Sequence, residues 1–140
     1  MHRIAVLAAS ALFVLPAAGA ARTHQGPSFA FGRIGGNIVP FRVAIRADGT
    51  LERSGPVRLA HPKARLSAQR LAGLVRFAGT QRFWSLPHTI RCRGSLPDYA
   101  SLFVTIRTAE KTRTVMVRGG CNARFSHVYT GLATAAGVLR

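Results

Sequence analysis

Apolar and polar residues alternate with a period of two over residues 101–108, where Leu102, Val104 and Ile106 fall on one side and Phe103, Thr105 and Arg107 on the other. That pattern predicts a strand with one buried face. The run at 112–118 repeats it: Arg113, Val115 and Val117 alternate with Thr112, Thr114, Met116 and Arg118, and the β-branched content suits a pleated surface better than a helix. Ala109, Glu110 and Lys111 make a short connection, so the two runs form a hairpin whose register the turn residues do not dictate. Earlier in the chain, residues 29–34 and the alternation of Phe41, Val43 and Ile45 with Arg42, Ala44 and Arg46 predict a second hairpin. Gly35, Gly36 and Asn37 sit at its turn, where positive φ is needed. Asp48-Gly49 is a strong turn signal and leads into a further strand at 51–53, with 57–59 as its extension.

The period becomes helical after His61, Pro62 and Lys63. Ser67 is a good N-cap, and Leu66 before it is placed to pack on Leu71 as a hydrophobic staple. Leu71, Leu74, Val75 and Ala78 form one stripe, with Gln69, Arg70 and Arg76 away from it, so this helix is expected to lie on the sheet and to end at Gly79 as a left-handed cap. Phe83, Trp84, Leu86 and Pro87 follow an apolar helix and read as a lid on the core, since a base-stacking platform sets its aromatics among basic residues on an exposed strand. Near the C-terminus Asn122 is the N-cap of a second helix, with Phe125, Val128, Leu132, Ala135 and Leu139 at near-helical spacing and Gly131 and Gly137 weakening it. The predicted class is α+β: an antiparallel β-sheet of hairpins, with one central helix and one C-terminal helix packed on one face.

The first 20 residues stand apart from this pattern. Arg3, an apolar run at 4–15, Pro16, and small residues at Ala18 and Ala20 follow the order of a secretory signal peptide cleaved after Ala20. The run is shorter than the roughly 20 apolar residues that span a bilayer, and an uncleaved amino-terminal anchor is the alternative reading. Export to the periplasm or the medium is therefore expected, with no membrane span after signal removal. Residues 21–28 read as a flexible lead-in and 29–140 as a single domain. In that oxidising setting the two cysteines, Cys92 and Cys121, are expected to form one disulfide. Closing a loop of roughly 30 residues stabilises a fold by about 3 to 4 kcal/mol in the chain-entropy account.

Charge adds a surface property without choosing a fold. The chain has 20 Lys and Arg against 4 Asp and Glu, a formal charge of +16, and only Lys63 and Lys111 are lysines. Such a surface raises non-specific affinity for phosphate, sulfate and anionic polymers or lipids. The arginines are scattered and export removes the usual partner, so nucleic acid is not expected as a ligand.

Candidate chemistry is sparse. Asp48, Glu52, Asp98 and Glu110 are dispersed, which gives a carboxylate pair no support. His24, His61, His88 and His127 show no metal-ligand spacing, and no nucleophile elbow or phosphate-binding loop is present, so neither a metal nor a cofactor is expected. A hydrolase would have to assemble from distant residues, Ser95 or Ser126 with His88 or His127. Asp98 is expected to pair with Arg91, Arg93 or Arg118 and to fix the loop between the cysteines. The loops at 35–40 and 93–97, with Gly35, Gly36, Asn37, Arg93 and Ser95, are the candidate binding surfaces, because rigid scaffolds present binding groups on loops.

The order Arg33-x-Gly35-Gly36, then Asp48-Gly49, Leu66-Ser67 and Phe83-Trp84-x-Leu86-Pro87, followed by paired strands and a closing helix, resembles the small bacterial domains related to emfourin. The resemblance implies an inhibitor of thermolysin-like metalloproteases, and it covers most of the exported part. The signal peptide, the cysteine pair and the basic surface depart from that pattern. Three functions are then expected in order: an exported, non-catalytic protein-binding domain, with an exported protease as one class of partner; a basic envelope protein attached to anionic polymers or lipids; and a secreted hydrolase.

Overall fold

The computed structural model describes residues 25–139. The expected leader at 1–20 and residues 21–24 of the lead-in lie outside them. Strands β1 (Ser28–Ile34), β2 (Phe41–Ile45) and β3 (Leu51–Ser54) precede helix α1 (Ala68–Thr80), a 3-10 turn (Phe83–Ser85) and a short strand β4 (Thr89–Arg91). Strands β5 (Ser101–Arg107) and β6 (Thr112–Arg118) and helix α2 (Ala123–Ala136) complete the chain. The strands form one six-stranded sheet in the order β3-β2-β1-β5-β6-β4.

The sheet joins the two predicted hairpins through β1 and β5. Phe31 faces Val43 on one side and Val104 on the other, and Val104 in turn faces Val115. One slip in that register would turn the buried set toward water, and the burial of alternate residues is what fixes it. Phe29, Phe31, Val43, Ile45, Val104, Ile106, Val115 and Val117 are all buried in one core. The sheet is mixed and not antiparallel throughout, because β4 runs parallel to β6. Strand β5 is already paired on both sides, with β1 and β6, and β4 occupies the outer edge of β6, where the Met116 N–H donates to the His88 carbonyl at 2.8 Å and the Cys92 N–H to the Arg118 carbonyl at 2.9 Å. Residues 57–59 do not extend β3; Leu59 instead bridges Val138 after α2.

Both helices are capped as the sequence predicts at their starts. The Ser67 side chain accepts from the Arg70 N–H at 3.1 Å, and the Asn122 side chain accepts from the Phe125 N–H at 2.9 Å. Their ends differ from expectation. Helix α1 continues through Gly79 to Thr80, and the left-handed residue is Arg82, at φ 52°. The Arg82 N–H bonds the Gly79 carbonyl and the Ser85 N–H bonds Arg82, so the helix runs directly into the 3-10 turn that buries Phe83. In α2 the buried stripe is Phe125, Val128, Leu132 and Ala136. Gly137, at φ 69°, stops the helix there, which leaves Leu139 exposed and Ala135 only half-buried. Helix α2 lies across β1 and β5, with Tyr129 edge-on to Phe31 at 5.5 Å, while α1 packs beside α2 and the 3-10 turn. Phe83 is fully buried and Trp84 half-buried under the Lys111 ammonium, 4.2 Å from the ring centroid, as a core lid requires.

The Asp48-Gly49 turn is built in detail. Asp48 accepts from both the Thr50 hydroxyl, at 2.6 Å, and the Thr50 N–H, at 3.0 Å, and these two hydrogen bonds hold its carboxyl below the usual carboxylate range. Gly49 has φ +84°, and a Cβ there would meet the Leu66 carbonyl oxygen at 2.0 Å. The same glycine accepts from the Leu66 N–H at 2.9 Å, so the turn anchors the segment that starts α1.

Candidate functional site

Two loops meet at one end of the sheet. The first, residues 35–40, joins β1 to β2; the second, residues 93–100, follows β4 and leads into β5. Gly36 (φ +68°) comes so close to the second loop that a Cβ would lie 2.4 Å from the Asp98 carbonyl oxygen and 2.6 Å from the Ala100 nitrogen. The Asn37 N–H donates to that same Asp98 carbonyl at 3.2 Å. The first loop is also held from beneath, where the Arg33 Nε donates to the Val39 carbonyl at 3.3 Å and its guanidinium lies over the Phe41 ring.

The second loop is held by the cystine. Cys92 and Cys121 are bonded, 29 residues apart, and among the described residues no free cysteine remains. The Ser95 hydroxyl and N–H both donate to the Cys92 carbonyl, at 2.7 and 3.1 Å, and the Tyr99 N–H donates to Leu96. The chain between Cys92 and Tyr99 is thus two successive turns hung from the bridge.

The surface these loops present is apolar. Ile34, Ile38, Val39, Leu96 and Tyr99 are each between 41% and 65% exposed, and they are five of the seven large hydrophobic side chains exposed among the described residues. Arg33, Arg91, Arg93 and Arg118 lie on the elements that carry or flank the two loops. The five residues were not singled out from sequence. The available signal was the placement of Ile38, Val39 and Leu96 next to Pro40 and Pro97, in turn-rich segments where no strand or helix period assigns them to a core.

The predicted site residues fall out as follows. Gly35, Gly36 and Asn37 are in the first loop, Arg93 and Ser95 in the second, and the fold brings the two sets together. Asp98 links them, but through its main-chain carbonyl; its carboxylate is exposed, and the ion pair among the described residues is Arg46 with Glu52, at 2.7 Å. The sequence expectation of an arginine partner for Asp98 rested on charge alone, and the loop instead turns its backbone inward. Ser95 is committed to the Cys92 carbonyl, His88 to the Thr114 carbonyl at 3.0 Å and His127 to Gln81 at 2.9 Å. Among the described residues no hydrogen bond joins either candidate serine to either histidine, and no three His, Cys, Asp or Glu side chains group as a metal site. No described helix is long and apolar enough to cross a membrane.

The arrangement can therefore make contacts: exposed apolar side chains on two braced loops. In comparisons with known proteins, the chain matches no family model, no curated protein and no solved structure.

Proposed function

We propose that this chain is a small exported, non-catalytic domain that binds another protein through the loop end of its sheet. The single observation that supports this reading is the placement of exposed Ile38, Val39, Leu96 and Tyr99 on two loops that touch through their backbones, with Ile34 at the end of β1 beside them. Contiguous exposed apolar surface on a small soluble domain marks interaction sites. Loops already braced by a cystine and by short main-chain contacts lose little conformational freedom on binding, so more of the contact energy reaches affinity. The finer reading, supported by the emfourin resemblance, is inhibition of an exported metalloprotease by insertion of these loops.

The test is capture by the disulfide-bonded protein from the envelope and culture fluid of its own organism, at low and at high salt. One protein held in stoichiometric amount at high salt is expected, and the double variant Val39→Ser/Leu96→Ser is expected to weaken that complex at least about tenfold, the scale on which central apolar contacts act. An unchanged affinity in the double variant would sink the loop assignment. If the captured protein is a metalloprotease, its peptide hydrolysis should fall in proportion to added domain.

A further inference from the structure

The helices cover one face of the sheet, and the opposite face carries a trough of about 720 Å³. Its floor is made of small side chains that share a face by register: Ala30 pairs with Ala44 on β2 and with Thr105 on β5, and Ser28 pairs with Arg107. Its rim carries Arg42, Arg46 and Arg107, together with Glu52 and Asp48. The two carboxylates are already engaged, Glu52 with Arg46 and Asp48 with Thr50. Arg42 and Arg107 have no hydrogen-bond or ion-pair partner among the described residues, and both are exposed.

From these positions we infer that the trough is a binding site for a linear, phosphate-bearing polymer. Arg42 lies opposite Gly32 and Arg107 opposite Ser28, four positions apart along β1 and on the two strands that flank it. At about 3.4 Å per residue and about 4.8 Å per strand, their Cα atoms are on the order of 16 Å apart. A chain with repeated phosphates can place a separate phosphate at each fork along the trough. Guanidinium forks suit phosphate oxygens, and the hydroxyl of Ser28 adds a donor on the floor. None of the large exposed apolar side chains lines the trough, so it lacks the apolar face with which a protein enters a lipid surface. Phe29 contributes to the lining, but its ring is buried in the core, which removes base stacking as a basis for recognition.

This site is separate from the loop end and stands or falls independently of the loop reading. The general charge of the chain makes some affinity for any polyanion inevitable, so the test compares variants of equal charge. The disulfide-bonded protein, expressed as the full chain, is titrated with linear polyphosphate in about 150 mM salt, where surface attraction beyond roughly 8 Å is screened. Arg42→Gln/Arg107→Gln is expected to weaken binding about tenfold or more, and Arg70→Gln/Arg76→Gln, on the exposed side of α1, less than about threefold. An unchanged thermal midpoint in both variants shows that folding is intact. Equal losses in the two variants would mean diffuse attraction and would overturn the site. Inorganic phosphate is expected to compete poorly; effective competition at equal phosphate concentration would overturn the requirement for a chain. Polyglutamate of matching length is expected to bind at least about tenfold more weakly, and equal affinity would overturn the phosphate assignment. Vesicles carrying anionic lipid that bound as tightly as the polymer, and lost that binding in Arg42→Gln/Arg107→Gln, would do the same for the polymer.

Discussion

At the scale of single residues, the loop end depends on Gly36. Its positive φ and its approach to Asp98 and Ala100 leave no room for a side chain. Gly36→Ala is expected to cost about 1 to 3 kcal/mol, the sum of a left-handed alanine and a displaced loop, and to appear in denaturant unfolding as a lower midpoint with an unchanged slope. An alanine variant as stable as the parent would show that the loops do not brace one another. Tyr129 supplies a second test at this scale. Burial pushes its phenol above the ordinary value of 10.0. The folded state then keeps a proton that the unfolded chain releases, so this stability is complete below about pH 10 and is lost as pH rises through the folded-state value. Tyr129→Phe should flatten the alkaline fall in thermal midpoint, and an identical alkaline profile in the variant would contradict the burial effect. The glycine pair and the Asp-Gly turn were legible in the sequence because each needs a backbone shape that few residues tolerate. The role of Asp98 was not, since a side-chain label says nothing about which carbonyl a loop turns inward.

At the scale of elements, period-two alternation predicted β2, β5 and β6, the glycine turn beside residues 29–34 predicted β1, and the capping residues predicted both helix starts. Helix ends and the sheet edge were less legible. Gly79 has the look of a stop signal, yet the helix carries on because the burial of Phe83 in the next turn holds residues 79–82 in a continuous path. The parallel placement of β4 depends on a pairing that involves no local turn, so nothing in residues 89–91 announces it. Ser67→Ala removes the one side-chain bond at the start of α1 and is expected to cost about 1 kcal/mol, with Asn122→Ala similar for α2, by thermal or denaturant unfolding. The cystine is a stronger tie. With its ends 29 positions apart, Cys92→Ala/Cys121→Ala should lower stability by about 3 to 4 kcal/mol. Because the 93–100 loop hangs from that bridge, hydrogen exchange at Ser95 and Tyr99 should accelerate more than exchange in β1. A uniform acceleration would show that the bridge stabilises the fold without ordering the loop.

For the whole molecule, the sheet separates three surfaces: a helical layer that closes the core, an uncovered face with a basic trough, and an apolar loop end. The class of fold was readable from sequence. The meeting of residues 34–39 with 96–99 was not legible, since these stretches are about 60 positions apart along the chain and are brought together by the β1–β5 pairing. High positive charge sets long-range attraction and its salt dependence, while a contact made through the apolar end, as proposed, would persist when salt is raised. Binding at the trough should therefore weaken as ionic strength rises, and binding at the loop end should not.

The most direct measurement is site-specific photo-crosslinking in the producing cells, with a photoreactive residue placed at Val39, at Leu96 or at the control position Arg76 on α1. The loop account predicts one discrete adduct of the same mass from positions 39 and 96 and none from 76, with the adduct retained when salt is raised before irradiation. Adducts from position 76 alone, or an indistinct smear from all three that salt abolishes, would contradict it.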